Sequence, residues 1–343
     1  MGQAASPAEL AELAAGLGPL IIAAHDRGEE AFQLAALRSG LMDAVTRRLV
    51  ELAVARAGPP PAPFTWYALG SLARREAVPS SDVDSALAWH DGSAPDGPAP
   101  DGPGPAPDGY MARLAAAVDE GLRACGMRPD AHGASAANPL FARPLASWRA
   151  AAESLREDPT REQGLILVSV LTDSRPVWGA GDALWEERSA PDLQRLLAQF
   201  ALKFRPSATG FLRDFAAEHA GRRRGRLDLK HGGLIPIVDL ARWAGMAAGV
   251  ASAPTVARLR AAEAAGTLDG PAARTLIEAF GLIFALRLDH QVEQLRRGGQ
   301  PDDVVDLKAL DPGTRSRLRE ALRAVASVQS GLAAELSLGV RWG

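Results

Sequence analysis

The chain has almost no sulfur chemistry to offer. Cys125 is its one cysteine in 343 residues, which excludes an internal disulfide and any thiolate zinc cluster and suits a reducing cytoplasm. Lysine is scarce as well: Lys203, Lys230 and Lys308 are the only three. Heavy use of Ala, Arg, Gly and Pro gives the composition the look of a GC-rich bacterial genome. The net charge of −3 supplies no general attraction to nucleic acid. No run approaches the roughly 20 uninterrupted apolar residues that span a bilayer. The start, MGQAASPAELAELAAGLGPLII, lacks a basic region ahead of its apolar part, so neither a membrane span nor a secretory signal is expected. Gly2 and Ser6 fit the loose myristoylation pattern. The simpler reading makes Ser6 a helix cap, with Pro7 at the first helical position and Glu9 closing a capping box.

Common catalytic signatures are missing too. Without G-x-x-x-x-G-K-[ST] the chain is no P-loop enzyme. Without G-x-G-x-x-G between a strand and a helix it is no dinucleotide fold. The absence of H-E-x-x-H and G-x-S-x-G removes the usual zinc peptidase and serine hydrolase readings.

What is present divides into three sections. Residues 1–60 carry helical spacing (Leu10, Leu13, Leu17, then Phe32 to Leu49) until GPPPAPF ends it. Residues 61–185 hold short strand-like runs: TWYALG closing at Gly70, SDVDSALAWH, and the second half of GLILVSVLTDSRPVWG, read as a strand ending at Asp173. Within this section residues 91–109, rich in Pro, Gly and Asp, cannot build a core and read as a mobile surface loop. MARLAAAVDEGLRACG is a helix closed by Gly126. Residues 186–343 read as helices over 192–203, 207–219, 236–248, 255–265, 271–295 and 311–336. The class is α+β: a helical arm, a small mixed α/β core and a helical C-terminal domain.

The chemistry concentrates in LGSLARREAVPSSDVDSALAWHD. On a strand, residues i and i+2 share a face, so Asp82 and Asp84 aim together while Val83 points into the core. Two such carboxylates repel unless a cation lies between them, and Mg²⁺ favours a couple of carboxylates plus substrate phosphate oxygens. Gly70 lets backbone approach a phosphate, and the following amides with the Ser71 hydroxyl can hold its oxygens. Arg74 and Arg75 add charge on the same connection. One faces phosphate and the other pairs with Glu76, and the residues do not say which.

Strand, Gly-Ser, short helical turn and Asp-x-Asp together resemble the signature of the DNA polymerase beta-type nucleotidyltransferase superfamily. FTWYALGSLARREAVPSSDVDSALAW and RGRLDLKHGGLIPIVDLARW, with NPLFARPLASW, DSRPVWG, TVARL and LRLDHQ in order, resemble one bacterial nucleotidyltransferase family with a C-terminal substrate-binding domain, related to the uridylyltransferase of the PII signalling protein. The resemblance implies a small mixed-sheet nucleotidyltransferase core and a helical-bundle substrate domain. It also implies a Mg²⁺ (or Mn²⁺) site on Asp82, Asp84 and a third carboxylate, for which Asp173 is the candidate metal ligand and proton acceptor. The reaction would move a nucleoside monophosphate from a nucleoside triphosphate to an acceptor hydroxyl, on a protein by analogy. Cyclic-nucleotide-binding and CBS domains that often stand upstream in that family have no room in this N-terminal stretch.

Around this centre stand less specific candidates. Arg175 shares a strand face with Asp173 and either neutralises it or touches phosphate. Arg222, Arg223, Arg224, Arg226 and Lys230 form a basic run. Within the resemblance Lys230 reaches the triphosphate or an acidic acceptor, and Asp228 pairs with it or with an arginine. Gly232-Gly233 admits ligand to the backbone, and His231 is either a proton shuttle or a hydrogen-bonded structural residue. Arg287, His290 and Gln291 share a helix face, as a site or as a polar network. Trp148, Trp178, Trp185 and Trp243 read as core or interface aromatics. Rival readings are a nucleotide-binding regulator without turnover, an interaction scaffold and, against the charge balance, a nucleic-acid end-modifying enzyme.

Overall fold

The structure, a computed structural model, describes residues 1–90, 107–128, 130, 133–157, 172–179, 181, 191–206, 225–250 and 253–337. The chain forms two compact units. Residues 1–29 and 33–186 make the first; residues 30–32 and 187–343 make the second.

The first unit opens with α1 (Pro7–Ala14), α2 (Leu17–Asp26) and α3 (Ala31–Ala57). Ser6 caps α1 as its sequence predicts: its Oγ accepts from the Glu9 amide at 3.2 Å. Glu9 reaches back one residue further than a capping box requires, to the Ala5 amide at 2.7 Å. Pro7–Asp26 contains an 18-residue window of mean hydropathy 1.3, enough by length and composition to cross a bilayer. A break at Ala15–Gly16 divides it into the two helices, and Leu10, Ala14 and Leu17 are buried in the core. The N-terminal helices thus share one core with the sheet rather than standing apart as a separate arm.

Next come β1 (Phe64–Leu69), the single turn α4 (Gly70–Ala73), β2 (Ser85–Trp89), α5 (Pro107–Ala124), β3 (Ala142–Pro144), α6 (Leu145–Glu157) and β4 (Ser174–Trp178). The four strands form a mixed sheet in the order β3-β2-β1-β4. β1 runs antiparallel to β2, with Phe64 opposite Trp89, and antiparallel to β4, with Leu69 opposite Ser174. β3 runs parallel to β2. All six β1 residues and all five β2 residues are buried, which explains why both read as continuous apolar runs rather than alternating ones. Trp66 and Leu87 pack in one core with Met42 and Leu49 of α3 and Met111 and Val118 of α5. Close approach of α5 to α3 requires glycine at 121: a β-carbon there would lie 2.5 Å from Leu49 Cδ2.

Two expectations change here. The strand at DSRPVW begins at Ser174, after Asp173, and it occupies a sheet edge, where Pro176 is tolerated because an edge position can lack a ladder donor. The expected loop over 91–109 is shorter at its end, because Pro107 already opens α5; residues 91–106 lie outside the described residues. Gly126 closes this helix as expected, with φ +72° and its amide on Arg123 O.

The second unit contains α7 (Pro191–Lys203), β5 (Arg226–Asp228), a π-helical turn (Lys230–Leu234), α8 (Ile235–Ala247), α9 (Thr255–Ala264), α10 (Gly270–Arg296), β6 (Val304–Asp306) and α11 (Pro312–Ser337). The helix expected over 207–219 lies outside the described residues. α8 is buried along almost its whole length. Phe32 stacks on Phe280 and Phe284 of α10, at centroid separations of 5.7 and 5.0 Å. The β5–β6 ribbon, with Arg226 opposite Asp306, is absent from the expected all-helical domain, because three-residue strands leave no periodicity to read. The architecture is α+β, with a small mixed sheet followed by a helical C-terminal unit.

Candidate active site

The site grows from the end of β1. Leu69 is the last strand residue, and its amide donates to Asp84 O at 3.0 Å. Gly70 then turns into the left-handed region, with φ +55°, and its amide donates to Asp173 O at 3.0 Å. A β-carbon on Gly70 would lie 2.8 Å from Asp84 Oδ2. The Asp84 carboxylate therefore lies directly against the glycine of the Gly70–Ser71 turn, in space that only glycine leaves open.

Asp82 and Asp84 precede β2 rather than lying within it, since the strand starts at Ser85. The chain is pinned here by different partners on either side: Val83 N donates to Arg128 O and Ser85 N to Ala134 O. The alternation of an extended chain persists nevertheless. Ser81, Val83 and Ser85 are buried, while Asp82 and Asp84 are half-buried.

Arg74 and Arg75 divide sharply. Arg74 is buried, with Nε on Glu76 Oε2 at 2.8 Å and Nη1 on Asp173 Oδ2. Burial pulls its pKa down, but the charges of Asp173 and Glu76 outweigh that, and the net shift is upward. Arg74 is the member of the pair that joins Glu76. Arg75 is exposed, and its Nη1 lies 3.6 Å from Asp43 Oδ2.

Asp173 is fully buried, with a carboxylate oxygen on the Arg74 guanidinium. Among the described residues no three His, Cys, Asp or Glu side chains gather as a metal-holding group. One oxygen of Asp173, the third expected ligand, is engaged by the Arg74 guanidinium. Arg175 does not neutralise Asp173. Its guanidinium caps α4 by donating to the Leu72 and Ala73 carbonyls, each at 3.2 Å, and it binds Asp43 Oδ1 at 2.9 Å.

α3 carries residues that the sequence reading missed. Besides Asp43, Ser39 Oγ accepts from the Ala77 amide at 3.2 Å and Arg38 Nε donates to Val78 O at 3.0 Å. Burial, then the charge of Arg128, lowers the Arg38 pKa to about 10. Together they anchor the segment between α4 and the two aspartates. The available signal was a run of polar residues on the otherwise apolar face of a long helix: Ser39 and Asp43 are buried beside Met42 and Val45.

The second-unit candidates form their own group. Arg226 is exposed on β5, and Lys230 is half-buried at the start of the π-helical turn. Among its described bonds Asp228 pairs with neither the Lys230 ammonium nor an arginine side chain; it accepts from the His231 amide and meets His231 Nδ1, both at 2.9 Å. Gly232 and Gly233 are buried, and a β-carbon on Gly233 would lie 3.0 Å from Ile283 Cγ2. Gly233 thus packs closely against α10. Arg287 and Gln291 both bind Asp303, and His290 faces Asp302, so that face is a polar network holding the approach to β6. Trp148 is buried with Nε1 on Leu87 O, Trp178 stacks on Phe64, and Trp243 is buried. Arg222, Arg223, Arg224 and Trp185 lie outside the described residues.

Comparison with known families agrees with this division. No curated protein matches the chain. Residues 17–162, which include the Gly70–Ser71 turn and both aspartates, match the family model described as "Putative nucleotidyltransferase DUF294". Residues 191–336 match the model described as "Putative nucleotidyltransferase substrate binding domain". The two matches occupy most of the chain in the order of its two units, and the protein belongs to this family of nucleotidyltransferases with a C-terminal substrate-binding domain.

Proposed function

We propose that the protein transfers a nucleoside monophosphate from a nucleoside triphosphate to an acceptor hydroxyl, with release of pyrophosphate, using Mg²⁺ (or Mn²⁺). The observation that carries this reading is the Asp84 carboxylate resting on Gly70, beside Ser71 and two residues from Asp82. A half-buried carboxylate against the turn, with a second half-buried aspartate two residues before it in the chain, offers the kind of donors that Mg²⁺ prefers, which leave room for substrate phosphate oxygens. Asp82 and Asp84 would hold the ion, which supplies charge neutralisation at the phosphates.

The chain's own groups do the rest. Gly70 admits backbone to the phosphates, and Ser71 offers its amide and hydroxyl. The basic side chains of the connection add positive charge. Positioning and electrostatic stabilisation supply most of the rate in phosphoryl chemistry. Asp173 is better suited to setting the turn, through its carbonyl on Gly70 and its carboxylate on Arg74, than to ligating metal. Arg226, Asp228 and His231 belong with the acceptor, for which a protein side chain is the candidate by analogy with the PII-modifying relative.

The test is incubation with Mg²⁺ and each α-labelled nucleoside triphosphate, with and without cell lysate, against an Asp82→Asn/Asp84→Asn control. Label on an acceptor that the control loses, with pyrophosphate in solution, is the expected result. Absence of label and of pyrophosphate with every nucleotide would overturn it. The burial of Asp173 supports a second reading, a regulator that binds nucleotide without turnover. That reading expects tight Mg²⁺-dependent binding and no label.

A further inference from the structure

We propose that Arg75 is the residue that takes the terminal phosphates of the nucleotide, and that Asp43 is the positioning residue that holds it ready. This deepens the nucleotide reading and rests on it.

The argument begins with the backbone. α4 ends in a Schellman arrangement: the Glu76 amide donates to Ser71 O at 2.8 Å and the Arg75 amide to Leu72 O at 3.2 Å. The residue between these bonds must adopt a left-handed conformation, and glycine is its usual occupant. Here Arg75 occupies it, with φ +59°, and among the described residues it is the only non-glycine with positive φ. A β-carbon makes that conformation costly. An arginine kept at such a place points to work done by its side chain.

The side chains of this connection show what that work is. Arg74 is buried between Glu76 and Asp173, and Arg175 is occupied by the Leu72 and Ala73 carbonyls and by Asp43. Neither has a guanidinium face to offer a ligand. Arg75 is 47% exposed, and its described ionic partner, Asp43, stands at 3.6 Å, beyond hydrogen-bond length. Asp43 is itself buried, and Arg175 fixes its other oxygen at 2.9 Å. It is a stationary negative charge that steers Arg75 without consuming its donors. One helical turn, about 5.4 Å of rise, separates Arg75 from the Gly70–Ser71 turn where the Asp84 carboxylate lies. A cation so placed matches an oxyanion chain that continues beyond that turn, and an exposed guanidinium suits phosphate through paired N–H donors. The contact is blind to the base.

Calorimetric titration of the full chain with Mg²⁺ and ATP, GTP, CTP or UTP, with tripolyphosphate, and with the corresponding monophosphates tests this. Arg75→Gly is expected to weaken every triphosphate and tripolyphosphate by a similar factor, on the order of ten-fold or more, and to leave monophosphates unchanged. It is also expected to raise the melting temperature, since glycine suits φ +59°. Arg75→Lys should recover part of the affinity. Asp43→Asn should weaken triphosphates too, and the double variant should bind no worse than Arg75→Gly alone. If Asp82→Asn/Asp84→Asn impairs triphosphate binding while Arg75→Gly does not, this inference fails and the nucleotide reading survives. A fall in melting temperature of Arg75→Gly would likewise overturn it, by making the side chain structural. Wild-type protein that binds no triphosphate would sink both.

Discussion

Arg74 and Asp173 stand 99 residues apart in the chain and meet in an ion pair sealed from solvent. Glu76 takes the other side of the same guanidinium, so one buried cation ties the end of α4 to the start of β4. Removing one member of such a pair leaves an uncompensated buried charge, which costs about 3–5 kcal/mol. Arg74→Met and Asp173→Asn should each lower stability by that order in denaturant titration. The pair itself brings no pH dependence from the arginine side. Its raised pKa means the contribution is complete below the ordinary arginine value and is lost only above it, so stability near neutral pH should not move on its account.

Gly70→Ala tests the link between turn and carboxylate. The new methyl meets Asp84 Oδ2, and φ +55° disfavours any β-carbon. The backbone conformation alone costs about 1–3 kcal/mol. Because the only yielding atom is on Asp84, the variant should lose Mg²⁺-dependent nucleotide binding beyond what its melting temperature explains. A variant that keeps wild-type binding while losing stability would show that the Asp84 side chain can move aside freely.

Much of this site is legible in sequence, and the rest is hidden for identifiable reasons. TWYAL and SALAW announce themselves because buried strands are short apolar runs, and Gly70 punctuates the first. Gly-Ser and Asp-x-Asp are local spacings, so their meeting at Gly70 and Asp84 follows from one hairpin-like register. Which arginine faces solution was not readable. That division depends on a left-handed backbone at Arg75 and on an acid 99 residues from Arg74, and no local pattern encodes either. The same holds for Arg175, whose partner Asp43 lies 132 residues away. Glycine signals close approach without naming the partner: at Gly233 a neighbouring helix, through Ile283, makes that approach.

The Asp228–His231 contact predicts an acid-side effect. Burial pushes the Asp228 carboxyl up, but hydrogen bonds from the His231 ring and amide, the His231 charge and the Lys230 amide together hold it below its ordinary 3.8. A carboxyl depressed in the folded state adds stability that is present above its unfolded pKa and lost as pH falls through the folded value. Carboxyl-carbon NMR titration should therefore place Asp228 below 3.8 in the wild type and move it upward in His231→Ala. An unchanged midpoint would mean that the backbone amides alone set it.

Ser39 offers the cleanest probe of how α3 supports the site from behind. Its hydroxyl is fully buried, donating to Ala35 O at 2.7 Å and accepting from the Ala77 amide at 3.2 Å. Ser39→Ala removes the acceptor and strands that amide in the interior, which costs about 1–3 kcal/mol. The side chain is small and touches no candidate ligand group, so any loss of nucleotide affinity has to be transmitted through the Ala77 backbone. Ala77 lies two residues beyond Arg75 and five before Asp82, and slackness there should reach both. Ser39→Thr keeps the acceptor at the same place, and recovery of affinity in that variant, together with weakened binding in Ser39→Ala, would show that α3 sets the positions of the arginine and the carboxylates. Equal affinity in both variants would confine Ser39 to stability.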